Sequence, residues 1–284
     1  MRQTLYLTLL ILLFCMSAQA QEAPEAIPDS LTGWENTLIS TLSFNQASYD
    51  DWRAGGDNTV AFKLALDGSA KNTTGKISQT HTVQFAYGKS KVGDQEVRKV
   101  DDLIRYMFDL VLETGTSVKP VVNIDARSQF DKGYDFSTEP KSLIAQFLAP
   151  AYIVETVGIA HDPAEWISMH LGLAGKQTIV TEESLRDSYG VDSDKSLRRE
   201  TGISLASVLQ KEVVENVFLK SELNVFGSFA DPDNPDVRLK NLVQMKINEY
   251  LNTSLELELF YDKDAWDGLQ VRQTLGLGIS ATIL

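Results

Sequence analysis

The chain has 284 residues and a formal net charge of −13 at pH 7. This acidic balance argues against nucleic acid as a partner, because binding to phosphates requires clustered basic side chains. The single cysteine, Cys15, lies in a segment that we expect to be removed on export, so disulfides and thiol chemistry are not expected in the mature chain.

Residues 1–20 have the pattern of a secretory signal peptide. An apolar run follows Arg2 and ends at Cys15, and Ser-Ala-Gln-Ala then supplies an Ala-x-Ala cleavage site before Gln21. Lipid attachment at Cys15 is the alternative, but Leu-Phe-Cys lacks the small residues expected before a lipidated cysteine. Residues 21–35, with two prolines and several acids, predict a flexible periplasmic lead-in. No later stretch reaches the roughly 18 uninterrupted apolar residues of a transmembrane helix.

From residue 36 the sequence alternates apolar and polar residues in segments of about ten residues or more, the length of a tilted strand that crosses a bilayer. The sequence predicts twelve strands, at residues 36–46, 58–69, 76–88, 100–114, 118–131, 150–161, 166–175, 198–212, 216–229, 237–251, 253–263 and 271–284. Short turns alternate with longer connections, which is typical of outer-membrane barrels with both termini in the periplasm. We therefore predict an all-β fold, a transmembrane antiparallel up-and-down barrel of about twelve strands over residues 36–284.

Charged residues lie on one face of the predicted strands, opposite an apolar face. They could not all be buried in a dry core without large desolvation costs, so we expect a wet lumen. The predicted lumen-lining residues are Lys63, Arg105, Asp109, Asp125, Arg127, Lys240, Lys246, Glu256, Glu258 and Arg272. The sixth strand is the least regular, because Glu155 shares a face with Ile153 and Val157.

The clearest hairpin is formed by predicted strands 237–251 and 253–263, with a tight turn at Asn252 and Thr253. In this register, Glu256 and Glu258 are expected to lie close to Lys240 and Lys246 of the preceding strand. Opposite charges on paired strands should attract each other.

The four tryptophans fall near predicted strand ends. Aromatic residues at those positions are typical of the girdles at membrane interfaces. The predicted interface anchors are Trp34 and Trp166 at the periplasmic end, and Trp52 and Trp266 at the outer end.

Residues 44–58 contain Trp52, Gly55, Gly56 and Asn58. This stretch resembles the Trp-x-x-Gly-Gly-x-Asn signature of an uncharacterised family of Bacteroidetes outer-membrane β-barrel proteins, known as a domain of unknown function. A second point of resemblance is the Pro-Ala-Tyr sequence at the start of a strand in residues 147–158. The resemblance implies the barrel and the membrane location, and it implies no activity. The two glycines would also permit a turn with positive φ.

Two groups of loop aspartates are potential calcium ligands. They are Asp231, Asp233 and Asp236, and Asp262, Asp264 and Asp267. Neither group has the spacing and the closing Glu of an EF-hand loop, so solvated loop acids are the better interpretation. We therefore expect no metal and no cofactor.

Ser168 and His170 lie two residues apart, on one face of one predicted strand. This pair suggests the nucleophile and base of a membrane phospholipase, but the predicted register turns both into the lumen, away from lipid. The favoured hypothesis is a non-enzymatic outer-membrane barrel for passage of small solutes or for a surface or structural role. The alternatives are an outer-membrane hydrolase and a soluble periplasmic β-sandwich or lipocalin-like binder.

The expected partners follow from the predicted location. They are outer-membrane lipid and lipopolysaccharide, together with the barrel assembly machinery that inserts such proteins. The sequence leaves the oligomeric state and any solute open.

Overall fold

The structure, a computed structural model, describes residues 33–50 and 53–284. The predicted signal peptide, most of the predicted lead-in and Trp52 therefore lie outside the described residues. The elements are β1 (Trp34–Ala47), β2 (Thr59–Thr74), β3 (Ile77–Val92), β4 (Arg98–Leu112), β5 (Val118–Ser128), β6 (Gly133–Asp135), β7 (Ser142–Ala145), β8 (Ala151–Ala164), β9 (Ile167–Ile179), two 3-10 turns (Glu183–Leu185 and Asp187–Tyr189), β10 (Leu197–Val214), β11 (Val217–Ser228), β12 (Asp236–Lys246), β13 (Leu251–Asp262) and β14 (Trp266–Thr282).

Twelve of these strands close an antiparallel barrel. Each strand pairs with the next along the chain, β5 pairs with β8, and β14 returns to pair with β1. The short strands β6 and β7 form a separate hairpin within the connection between β5 and β8. The predicted fold class is confirmed, and the β-sandwich alternative is wrong, because the sheet closes on itself.

Two details of the predicted strands need correction. The turn expected at Asn252 and Thr253 lies earlier, since β12 ends at Lys246 and β13 begins at Leu251. The carboxamide oxygen of Asn248 accepts hydrogen bonds from the backbone amides of Tyr250 (2.9 Å) and Leu251 (2.7 Å), and this Asx-type turn closes the hairpin. The connection expected at residues 89–99 is also shorter, because β3 and β4 extend into it.

The two ends of the barrel differ in their connections. Short turns at residues 75–76, 113–117, 165–166, 215–216 and 247–250 lie at one end, which we call the turn end. The opposite loop end carries the longer connections at residues 48–58, 129–150 and 180–196. β1 begins and β14 ends at the turn end. The predicted alternation of short and long connections is present only in part, because the loop-end connection at residues 93–97 is no longer than the turn-end connection at residues 113–117, and the one at residues 263–265 is shorter still.

At the loop end, the two longest connections pack against each other. Ala149, Val180, Leu185 and Val191 form a buried apolar cluster. The Tyr189 hydroxyl beside it donates a 2.7 Å hydrogen bond to the backbone oxygen of Ile144, and burial raises the pKa of that hydroxyl. This packing fixes the loops relative to the barrel rim.

The outward face of the barrel is apolar around its middle. Val157 at the centre of β8 and Leu173 at the centre of β9 are paired, and each is 65% exposed. Glu155, which made the sixth predicted strand irregular, also points outward, two residues from Val157, and accepts a hydrogen bond from Gln177. Among the residues that the structure describes, no helix is long and apolar enough to cross a membrane.

The seam that closes the barrel is short. β1 pairs with β14 only between Ile39–Thr282 and Phe44–Leu277, whereas it pairs with β2 along its whole length. β14 therefore extends toward the loop end without a strand partner on its β1 side.

Candidate functional site: the charged lumen

Arg105 on β4 connects distant walls of the barrel. Its Nε and Nη2 atoms donate hydrogen bonds to both carboxylate oxygens of Asp125 on β5, at 3.0 and 2.7 Å. Its Nη1 atom donates a 2.8 Å hydrogen bond to Glu222 on β11. Because β4 and β11 are not neighbours in the sheet, these contacts cross the lumen. A guanidinium that binds one carboxylate through two parallel hydrogen bonds is well suited to fix such a bridge.

A second bridge lies beside the first. Arg272 on β14 donates hydrogen bonds to Asp101 on β4 (2.9 Å) and to Glu256 on β13 (2.7 Å). Lys63 on β2 reaches the same two carboxylates, with its Nζ atom 2.5 Å from Asp101 and 3.6 Å from Glu256. This bridge also joins strands that are not neighbours, so the lumen is crossed twice.

Cations of β12 extend the network along the wall. Arg238 Nη1 donates a 2.7 Å hydrogen bond to Glu258, and Lys240 Nζ lies 3.3 Å from Glu256. The proximity expected between Lys246 and these glutamates is wrong. Lys246 is exposed at the turn end of β12, opposite Asn252. Because the turn lies earlier than predicted, the two glutamates are level with the middle of β12.

Near the loop end, Lys176 gathers acids that are far apart in the sequence. Its Nζ atom forms an ion pair with Asp236 and lies 3.8 Å from Asp262 and 3.9 Å from Glu200. Carboxylate oxygens of Asp236, Asp262 and Asp264 lie within 4.8 Å of one another. The lysine ammonium already provides a positive charge for this group.

Arg127 on β5 differs from the other lumen arginines. Its guanidinium carbon lies 5.2 Å from the centre of the Tyr152 ring and 6.0 Å from the centre of the Phe260 ring. Its side chain faces a cavity of about 50 Å³. In residues 33–50 and 53–284, no carboxylate oxygen lies within 4.0 Å of its guanidinium nitrogens.

A second cavity lies at the turn end, beside the neighbouring strands β8, β9 and β10. It has a volume of about 670 Å³ and is lined by residues that include Trp166, Ser168 and Gln210. Deeper in the lumen, His170 Nδ1 lies 3.4 Å from Asp109, which also accepts a 2.8 Å hydrogen bond from Asn123. We call the 670 Å³ cavity the vestibule.

The Ser168 and His170 pair lacks the geometry of an activated nucleophile. Among the hydrogen bonds within the described part of the chain, none joins the Ser168 hydroxyl to the His170 ring. Direct hydrogen bonding between nucleophile and base is the expected signature of such a pair. The imidazole is instead positioned by Asp109.

The tryptophans lie at both ends of the barrel. Trp34 begins β1 at the turn end, and Trp166 lies in the turn between β8 and β9, with Lys211 Nζ 4.8 Å from its ring centre. Trp266 begins β14 at the loop end. Their role as interface anchors stays a prediction.

The glycines of the signature stretch have a structural role in the loop between β1 and β2. Gly55 and Gly56 adopt φ values of +86° and +144°. A Cβ atom on Gly56 would lie 2.6 Å from the Tyr49 ring. The Asn58 side chain accepts a 2.7 Å hydrogen bond from the Tyr49 amide, which closes the loop. Glycine at position 56 is thus required both by the backbone and by the space under Tyr49.

Sequence reasoning missed several members of the network. Asp101, Lys176, Glu200, Glu222 and Arg238 all contribute lumen ion pairs. The alternation of polar and apolar residues could have identified two of them as lumen residues, because Glu222 and Arg238 lie on the polar faces of predicted strands. Their partners, however, depend on which strands meet across the lumen.

These observations define a closed twelve-stranded antiparallel β-barrel with a charged, bridged interior. A family model described as "Protein of unknown function (DUF3078)" matches residues 44–134, which is less than half of the chain. The match includes the signature stretch, whereas residues 147–158 lie beyond it. No curated protein matches the chain.

Several solved structures are similar in fold. An outer membrane channel from Pseudomonas putida F1 is 9% identical, with 93% of this chain and 99% of that chain covered and a TM-score of 0.42. The translocator domain of the autotransporter NalP from Neisseria meningitidis is 11% identical, with 88% of each chain covered and a TM-score of 0.34. At these identities and TM-scores, the likeness concerns the overall fold alone.

Proposed function

We propose that the protein is a non-enzymatic outer-membrane β-barrel whose lumen is closed at rest and admits small solutes only when its ion pairs rearrange. The observation that carries this proposal is the bridge from Arg105 to Asp125 and Glu222, which occupies the interior between distant walls. A barrel of twelve strands is narrow compared with porins of about sixteen or more strands. Long charged side chains of both signs therefore suffice to close it.

The proposed orientation follows from the two ends. The short turns and both strand termini would face the periplasm, and the long loops would face the cell exterior, as in bacterial barrels generally. The apolar outward face would contact lipid, with lipopolysaccharide around the outer rim, and insertion would require the barrel assembly machinery. The vestibule would then open toward the periplasm, and the packed loops would cover the outer side.

The hydrolase alternative has less support. His170 and Asp109 could form a base and its orienting acid, but both lie inside the lumen with Ser168. A lipid substrate would have to leave the bilayer and enter the barrel to reach them. We therefore assign the His170–Asp109 pair to the polar lining.

Planar-bilayer recording of the full chain tests the closed lumen. We expect wild-type protein to show no stable nanosiemens conductance. We expect the double variant Arg105→Ser, Arg272→Ser to conduct, because it removes both arginines that bridge the lumen and leaves only Lys63 between Asp101 and Glu256. Lys211→Ser is the matched control, since Lys211 packs on Trp166 at the turn end and takes no part in the bridges.

Folding of each variant is checked first by heat-modifiable gel mobility. Stable nanosiemens conductance of the wild type would contradict the closed lumen. A folded double variant that stays silent would show that these bridges do not close the path. If the double variant does not fold, the variant Arg105→Ser, Glu222→Ser takes its place. It removes the arginine and the glutamate of one bridge together, so that no Glu222 carboxylate is left without its arginine.

A further inference from the structure

The cavity beside Arg127 is lined by polar groups and aromatic rings. It lies in the loop-end half of the barrel, between the Arg105 bridge and the Lys176 cluster. Its volume is about 50 Å³, and its lining includes Tyr152, Ser204, Asn224 and Phe260. A site for one water molecule has about 10–15 Å³ on this measure, so the cavity suits a molecule of only a few heavy atoms.

Within residues 33–50 and 53–284, Arg127 is the cation of this cavity with no carboxylate oxygen within 4.0 Å of its guanidinium nitrogens. The other two cations of the lining are paired, Lys176 with Asp236 and Arg238 with Glu258. The Arg127 Nε atom is buried and makes no hydrogen bond to any described residue. A buried polar group without a partner is costly, and a charged one is more so. The site therefore favours an anion that brings acceptor oxygens to Arg127.

The balance of charge at the cavity favours a single negative charge. The lining holds three cations, Arg127, Lys176 and Arg238, and two carboxylates, Asp125 and Asp236. Asp125 is paired with Arg105, Lys176 with Asp236 and Arg238 with Glu258, so within the described residues Arg127 is the cation of the lining that no carboxylate holds. A monoanion neutralises it, whereas a dianion would be repelled by the two nearby carboxylates.

We propose that this cavity binds a small monovalent carboxylate of one or two carbons. A guanidinium accepts a planar carboxylate through two parallel hydrogen bonds, which distinguishes it from a point charge such as lysine. The Ser204 hydroxyl and the Asn224 amide line the same space and supply further donors. The methyl group of acetate would lie against the aromatic rings. This site goes beyond the proposed function, because binding requires no passage of solute through the barrel.

The test measures binding of ¹³C-acetate to the full chain refolded in detergent micelles, by the broadening of the acetate carboxyl resonance. We expect Arg127→Gln to weaken binding more than tenfold. Lys119→Gln is the matched control and should bind acetate as the wild type does. Lys119 is a turn-end cation whose Nζ atom is 3.0 Å from Glu113 and 3.2 Å from Asp162, so its charge is already paired.

Ligand variants separate the site from general attraction of anions. Neutral acetamide tests the charge, benzoate tests the size limit, and sulfate tests the preference for one negative charge. All three should bind more weakly than acetate. Heat-modifiable mobility verifies that each protein variant is folded.

Equal broadening of acetate by the wild type and by folded Arg127→Gln would overturn the proposal. An equal loss in Arg127→Gln and Lys119→Gln would also overturn it, because the effect would then reflect net charge. If Arg127→Gln does not fold, the comparison of acetate with acetamide on the wild-type protein tests the proposal. In that case acetamide binding as tightly as acetate would refute an anion site.

Discussion

Replacing Leu173 by arginine tests whether the outward face contacts lipid. Leu173 lies at the centre of β9, is 65% exposed, and is flanked by Val157 and Ile203 on the paired strands. An arginine forced among acyl chains near the midplane should lower the free energy of unfolding by roughly 2 to 4 kcal/mol. In water, the same exposed position would tolerate the change within about 0.5 kcal/mol.

Leu112→Arg is the depth control. Leu112 is 44% exposed at the last position of β4, at the turn end. The distance from the centre of a strand such as β9 to its end is about 20 Å at the usual rise per residue. With a tilt of about 40°, this corresponds to about 15 Å along the membrane normal, beyond half of an apolar band about 25 Å tall. The arginine there would reach the interface, at a cost of roughly 0 to 1 kcal/mol.

The assay is urea titration of both variants and the wild type refolded into phosphatidylcholine bilayers, followed by tryptophan fluorescence and gel mobility. We expect Leu173→Arg to lose clearly more stability than Leu112→Arg. Equal small losses would mean that the outward face is solvated. A larger loss for Leu112→Arg would mean that the apolar band is centred elsewhere.

Three further predictions concern other parts of the chain. Gly56→Ala should strain the loop by about 1 to 3 kcal/mol, because the added Cβ atom would meet the Tyr49 ring. We expect the strained loop to be cleaved faster by protease within residues 48–58, and an unchanged cleavage rate would contradict this prediction. Ser168→Ala should leave any lipid hydrolysis by purified protein unchanged, and loss of a lipase activity would revive the hydrolase. Cell fractionation should recover a mature chain that begins at Gln21 from outer membranes with detergent only, and recovery from the soluble periplasm would refute the membrane location.

The fold could be predicted because each strand carries its own signal. The alternation that places Val157 and Leu173 outward is local, so it can be recognised without knowing the partners of a strand. Glu155 weakened that signal, and the structure explains why it is tolerated. Its carboxylate, two residues from Val157 on the loop-end side, accepts a 3.3 Å hydrogen bond from Gln177 on β9.

The lumen network could be predicted only in part, because its pairs depend on closure. The Arg105 face was evident from β4 alone, but its partner Glu222 lies 117 residues away and meets it across the barrel. The hairpin turn was misplaced for a different reason. Alternation continues through Ile247, and that pattern outweighed the turn signal of Asn248, whose side chain closes the turn.

The short seam between β1 and β14 sets the order of folding events. Thr41 and Ser280, whose hydroxyls are 2.9 Å apart across the seam, are separated by 239 residues. Joining such distant segments has the largest loop-closure entropy of any pairing in the barrel, since that entropy grows with the logarithm of loop length. The seam forms few backbone hydrogen bonds to offset this cost, because its strand pairing covers Ile39 to Phe44 of β1, with two more bonds between Leu38 and residues 283–284. We therefore expect the backbone amides of the seam to become protected from hydrogen exchange last during refolding. In the native barrel they should exchange first, because the barrel would open transiently by separation of β1 from β14.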